Sequence, residues 1–101
     1  MFGLSENIIL QIKSVFEKNE KIEKAVIYGS RASDNFRKGS DIDIVLYGEK
    51  LNFNDLLSIE NQLDDLMLPY KIDLSLFHKI KNPNLTEQIN KFGKVFFIKK
   101  I

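Results

Sequence analysis

The sequence predicts an α/β or α+β domain, a β-sheet with helices packed on it, and three observations predict it. Helical and strand-like periodicities alternate along the whole chain. A hydrophobic content of 44% with 29% charged residues is that of a folded globular protein. At 101 residues the chain is long enough for one core and short for two, so a single domain over residues 1–101 is expected.

The elements follow in order. Ile8, Ile9, Ile12, Val15 and Phe16 recur at helical spacing between Ser5 and about Asn19, with Ser5 as N-cap. Lys24 to Tyr28 reads as a short strand stopped by Gly29-Ser30, after which Arg31-Ala32-Ser33 can begin a helical turn. The polar stretch Asn35 to Gly39 is a loop, and Asp41 to Leu46 an apolar, partly alternating strand. Leu56, Ile59, Leu63, Leu66 and Met67 define a helix between Asn52 and Met67, closed by Pro69. Lys71 to Leu76 alternates, with Ile72, Leu74 and Leu76 on one face and Asp73 and Ser75 on the other. A last helix from Leu85 to Phe92, stopped by Gly93, precedes a final strand from Val95 to Ile98. No repeat or linker interrupts this order.

Composition excludes several chemistries. With no cysteine and one histidine, disulfide frameworks, zinc clusters and thiol nucleophiles are ruled out, so a metal site must use oxygen ligands. A net charge of +1 gives no field for sequence-independent nucleic-acid binding. The first residues carry no basic stretch followed by an apolar run, and no window is apolar enough for a membrane helix, so a soluble, cytoplasmic location is expected.

Two positions then carry chemistry. Asp41 and Asp43 are two apart on one strand, so their carboxylates leave the same face and repel unless a cation lies between them. Asp73 has the same in-out pattern and joins the cluster if its strand is a neighbour. Three such carboxylates suit two magnesium ions about 3.5–4 Å apart, the arrangement used in phosphoryl transfer. Gly29-Ser30, at a strand-to-helix junction, offers backbone amides and a hydroxyl to the outer phosphates of a triphosphate.

Gly29-Ser30-Arg31-Ala32, then Gly39-Ser40-Asp41-Ile42-Asp43-Ile44, then Lys71-Ile72-Asp73-Leu74, together resemble the minimal nucleotidyltransferases of the DNA polymerase β superfamily. The resemblance spans nearly the whole chain. It implies an α+β nucleotidyltransferase fold with a mixed central sheet and helices packed on it. It also implies a magnesium-dependent enzyme that moves a nucleoside monophosphate, AMP from ATP, onto an acceptor hydroxyl. Asp41, Asp43 and Asp73 would be its metal and catalytic residues, with Asp73 also a candidate general base. Gly29, Ser30, Arg31 and Ser40 would be its nucleotide-binding residues. Proteins of this kind stand beside a helical HEPN-domain partner, and some act as antitoxins by adding AMP to a tyrosine of that toxin.

Two rival readings keep the same motifs. One is an antitoxin subunit that neutralises its HEPN partner by contact alone; the other is transfer to a small-molecule acceptor. Where the family continues its first motif with a basic residue and a glycine, Ser33 and Asp34 stand here, which adds an acid near the phosphates. Arg31 either meets phosphate or makes a surface salt bridge. Arg37 and Lys38 solvate a loop, His78 is a surface residue, and Phe92, Phe96 and Phe97 are expected in the core.

Overall fold

The computed structural model describes residues 1–33, 35–37 and 39–100. Helix α1 (Glu6–Lys18) is capped by Ser5, whose hydroxyl accepts the N–H of Ile8 at 3.2 Å, satisfying one of the donors that a helix start leaves open. Its Ile12, Val15 and Phe16 form the buried stripe. Strand β1 (Lys24–Tyr28) runs into a 3-10 turn at Gly29–Arg31, and β2 (Ile42–Tyr47) follows the loop. Helix α2 (Phe53–Asp64) starts in a capping box: the Asn52 side chain accepts the Asp55 N–H while the Asp55 carboxylate accepts the Asn52 N–H. Strand β3 (Ile72–Leu76), a 3-10 turn at Phe77–Lys79, helix α3 (Pro83–Phe92) and strand β4 (Lys94–Ile98) complete the chain.

Boundaries moved for local reasons. Helix α2 stops at Asp64 rather than Met67, because the N–H groups of Leu66 and Met67 bond to carbonyls three residues back and Met67 turns left-handed at φ +56°. Helix α3 starts two residues earlier than its apolar pattern suggested. Pro83 occupies the first turn, where its missing N–H costs nothing, and the Asn82 side chain caps Asn84.

The sheet has the order β3-β2-β1-β4. Strand β1 is antiparallel to both β2 and β4, whereas β2 and β3 are parallel and joined by α2 as the crossover. On one face Ala25, Ile27, Ile42, Ile44, Leu46, Leu74 and Leu76 meet the stripes of α1 and α2 in the main core. On the other, Val26 and Val45 pack under Ile89 of α3, with Tyr28, Tyr47 and Phe77 around them. Among the described residues α3 is the helix packed on this second face, and Asp73 on it is exposed.

Phe96 and Phe97 are both buried although adjacent on one strand, where alternation would send one to each face. The register against β1 shifts between Ala25 and Val26, and this bulge lets both rings reach Phe16. Phe92, also expected in the core, is 65% exposed in the last turn of α3. Ile89, three residues earlier, is the buried residue of α3, and the expectation for Phe92 is corrected. His78 is exposed as expected, with Nε2 3.0 Å from the Leu51 carbonyl. Among the described residues no helix is long and apolar enough to cross a membrane.

Candidate active site

Strand β1 ends where β2 and β3 begin, so the chain reversals at 29–41 and 69–71 gather at one end of the sheet. Asp43 of β2 lies directly beside Asp73 of β3 in the parallel register, and Tyr28 of β1 lies directly across from Asp43. Side chains alternate across a sheet, so Tyr28, Asp43, Asp73 and Ser75 share the face on which α3 packs, toward the end where β2 and β3 begin. Asp41 falls one residue before β2, exposed at the mouth of the loop rather than on the strand as expected. Asp73 is exposed and Asp43 half-buried.

These positions set the electrostatics. The Asp43 carboxyl is pushed above its ordinary value, first by burial and then by the charges of Asp73 and Asp41. The Tyr28 phenol is also raised, chiefly by burial and further by Asp43 and Asp73, while a hydrogen bond with Ser75 acts the other way. The ion pairs among the described residues, Lys21 with Asp55 and Glu87 with Lys91, lie elsewhere. The cluster therefore carries concentrated negative charge with no protein cation paired to it among the described residues.

Gly29 is required twice. Its φ of +76° is a left-handed conformation that L side chains rarely adopt, and a Cβ there would sit 2.6 Å from Oδ2 of Asp43. Glycine thus lets the main chain at the end of β1 lie against the carboxylate. The turn that follows is three residues of 3-10 helix, not the start of a longer helix, so aligned peptide dipoles contribute little and the local N–H groups are what it offers. Ser33 donates its hydroxyl to the carbonyls of Gly29 and Ser30 and tightens this turn; Asp34 and Lys38 lie outside the described residues.

Arg31 and Ser40, both expected to face nucleotide, are tied to the main chain of the loop before β2. Arg31 is 2% exposed, and its guanidinium donates to the Ser40 carbonyl from Nε (3.1 Å) and Nη2 (2.8 Å) and to the Phe2 carbonyl from Nη1 (2.9 Å). Its planar group also lies near the rings of Phe36 and Tyr70. With three of its N–H donors on main-chain carbonyls and its side chain buried, Arg31 makes no surface salt bridge, and that alternative is corrected. The Ser40 hydroxyl accepts the Arg37 N–H at 2.8 Å and closes the turn through Gly39, leaving only its O–H to donate outward.

Among the described residues no three His, Asp or Glu side chains are drawn together closely enough to enclose a metal ion. The donor set nevertheless fits a hard divalent cation. It is all oxygen, it has Asp43 held beside two like charges, and its exposed members, Asp41 and Asp73, are free to change rotamer on the picosecond-to-nanosecond scale.

Tyr28 and Ser75 were not singled out as site residues from the sequence. Period two already puts Ser75 on the Asp73 face, but only the antiparallel register of β1 against β2 brings Tyr28 beside Asp43.

A mixed four-stranded sheet with carboxylates on neighbouring strands beside a Gly-Ser turn defines a nucleotidyltransferase domain. Residues 10–101 match the family described as Polymerase beta, Nucleotidyltransferase, and the chain belongs to that family. Two proteins of Methanocaldococcus jannaschii, named "Putative protein adenylyltransferase MJ1217" and "Putative protein adenylyltransferase MJ0126", are each 35% identical over 92 residues, 88% of this chain and 93% of theirs. Among solved structures, a toxin-antitoxin complex with AMP-PNP contains a chain of similar fold, with TM-score 0.72 and 20% identity over 96% of this chain and 76% of that one. The MntA-HepT toxin-antitoxin complex contains another, with TM-score 0.70 and 18% identity over 94% and 74%. A third lies in the complex of a tri-AMPylated Shewanella oneidensis HEPN toxin with its MNT antitoxin, with TM-score 0.65 and 20% identity over 98% and 74%. At these identities the likeness is one of fold.

Proposed function

We propose that this nucleotidyltransferase is a magnesium-dependent protein adenylyltransferase that moves AMP from ATP to a tyrosine hydroxyl of a HEPN-type partner, and so acts as an antitoxin. The observation that carries the reading is the juxtaposition of Asp43 and Asp73 across a parallel strand pair, with the main chain of Gly29 against Asp43. Relatives named as protein adenylyltransferases and fold neighbours that are antitoxins of HEPN toxins support the choice of acceptor.

In this reading Asp41, Asp43 and Asp73 hold the metal, and Gly29 and Ser30, with the free O–H of Ser40, receive the triphosphate. Bound magnesium supplies charge neutralisation for the attacking and leaving oxygens. The acceptor oxygen attacks the α-phosphorus, the bond to the bridging oxygen breaks, and pyrophosphate leaves. Asp73, exposed at the edge strand where an acceptor can approach, takes the hydroxyl proton. Asp41 and Asp73 are exposed, which suits an acceptor carried by another protein better than a small molecule needing its own pocket.

The test is incubation with a HEPN-type partner, magnesium and each triphosphate in turn, followed by intact mass of both chains. Addition of AMP to the partner, from ATP and only with magnesium, is the expected result. A stable complex with no mass gain from any triphosphate would refute the reading and favour neutralisation by contact.

A further inference from the structure

The buried guanidinium of Arg31 serves no step of the reaction described above, yet it makes three hydrogen bonds to main-chain carbonyls and lies near two aromatic rings. Its fork grips the carbonyl of Ser40, the residue immediately before Asp41, with two donors, and the carbonyl of Phe2 with a third. The ring of Phe36 lies at 5.3 Å and that of Tyr70 at 4.9 Å from its central carbon. These contacts tie the Gly29–Arg31 turn to three other stretches: the Phe2-Gly3 segment, the loop that carries Phe36 and Ser40, and the approach to β3.

Burying a charge without a carboxylate partner is expensive unless carbonyl dipoles and aromatic faces replace the lost water. A hydrophobic side chain of similar volume could fill the space at no such cost. What a hydrophobic replacement could not do is hold two carbonyls in a fixed relation. The Phe2-Gly3 segment is shaped for this contact, with consecutive left-handed φ values of +58° and +71°, and a Cβ on Gly3 would meet the Phe36 ring at 2.2 Å. Gly39, at φ +84°, then reverses the chain so that Ser40 presents its carbonyl inward.

We propose that Arg31 is a positioning residue for Asp41: clamped between Phe36 and Tyr70, it ties the Ser40 carbonyl to the Phe2 carbonyl and so fixes the backbone that aims the Asp41 carboxylate toward Asp43. This rests on the reading of Asp41 as a metal ligand. It extends the supporting shell of the site to Phe2 and Gly3, residues remote in sequence from every motif.

The test uses Arg31→Met, which keeps volume, and Arg31→Lys, which keeps charge but lacks the fork. Each is followed by thermal melting, by hydrogen exchange over residues 37–43 of metal-free protein, and by calorimetric titration with Mn2+. The expected result is a cooperative melt, exchange about tenfold faster in that segment but unchanged in β1, and a fall of about 10–100-fold in Mn2+ affinity, the size seen when a supporting partner of a metal ligand is lost. If Arg31→Met fails to fold, Arg31→Lys decides. A folded variant with wild-type exchange in residues 37–43 overturns the proposal, as does one that binds Mn2+ with wild-type affinity. Wild-type protein that binds no Mn2+ would instead sink the metal reading, and the exchange measurement would still decide whether Arg31 holds the segment.

Discussion

Replacing Asp43 by Asn should make the metal-free protein more stable at neutral pH, the opposite of what removal of a buried group usually does. Asp43 lies beside Asp73 across adjacent strands, which are spaced about 4.8 Å apart. Two unit charges about 5 Å apart repel by about 0.8 kcal/mol in water and about 3 kcal/mol at an effective dielectric constant of about 20. Because Asp73 is exposed, the lower end applies, and about 1 kcal/mol is the working figure. For a domain of this size that is a rise in melting temperature of about 4–8 °C.

The sign with pH follows from the raised carboxyl. Below the ordinary value of 3.8 the group is protonated in both folded and unfolded chains and no penalty exists. As pH rises through the higher folded-state value, the folded protein loses stability that Asn at this position would not lose. The difference between the two proteins should therefore be near zero at pH 3.5 and full at pH 7, measured by calorimetry in chelator. Magnesium should raise the melting temperature of the wild type and leave Asp43→Asn unmoved. A variant that melts at or below the wild type at pH 7, with no pH dependence in the difference, would refute the reasoning.

Gly29→Ala and Gly39→Ala separate strain from contact: both positions have positive φ, but only at Gly29 does the added carbon strike Asp43. Each should lose about 1 kcal/mol of stability from the left-handed backbone; Gly29→Ala should also abolish nucleotidyl transfer, and Gly39→Ala, which disturbs the turn that presents the Ser40 carbonyl to Arg31, should only slow it, read by melting and by a transfer assay side by side. Asn52→Ala removes one half of the capping box of α2, remote from the carboxylates, and should cost about 1 kcal/mol with transfer rate unchanged. Phe16→Ala empties a fully buried position between Phe96 and Phe97 and should cost about 3–5 kcal/mol, enough to lower the urea midpoint sharply.

Much of this architecture was legible in the sequence because its signals are local. The bounds of β1 follow from a short apolar run stopped by Gly29-Ser30, and the in-out pattern of β3 from period-two alternation after Pro69. The Ser5 cap and the buried stripe of α1 follow from helical spacing. The ends of α2 and α3 moved for local reasons, but the other features the sequence did not show depended on contacts distant in sequence. Arg31 reads as a phosphate ligand because it follows Gly-Ser, and nothing local announces that the Ser40 and Phe2 carbonyls will claim its donors. The burial of both Phe96 and Phe97 needs a bulge in register with β1, and Phe92 is exposed because the sheet takes Ile89 of α3 instead. Asp43 and Asp73 could be assigned to a shared face only on condition that their strands are neighbours, which the parallel pairing of β2 with β3 supplies.

The central claim, that the carboxylates at the mouth of β2 and β3 carry nucleotidyl transfer, is tested most directly by Asp43→Asn in the transfer reaction with ATP, magnesium and a HEPN-type partner. The account predicts a folded protein that still binds the partner and transfers AMP at least about a thousandfold more slowly, since an interaction made by a metal-holding carboxylate in the transition state is lost. Transfer by Asp43→Asn at a rate close to that of the wild type would contradict it.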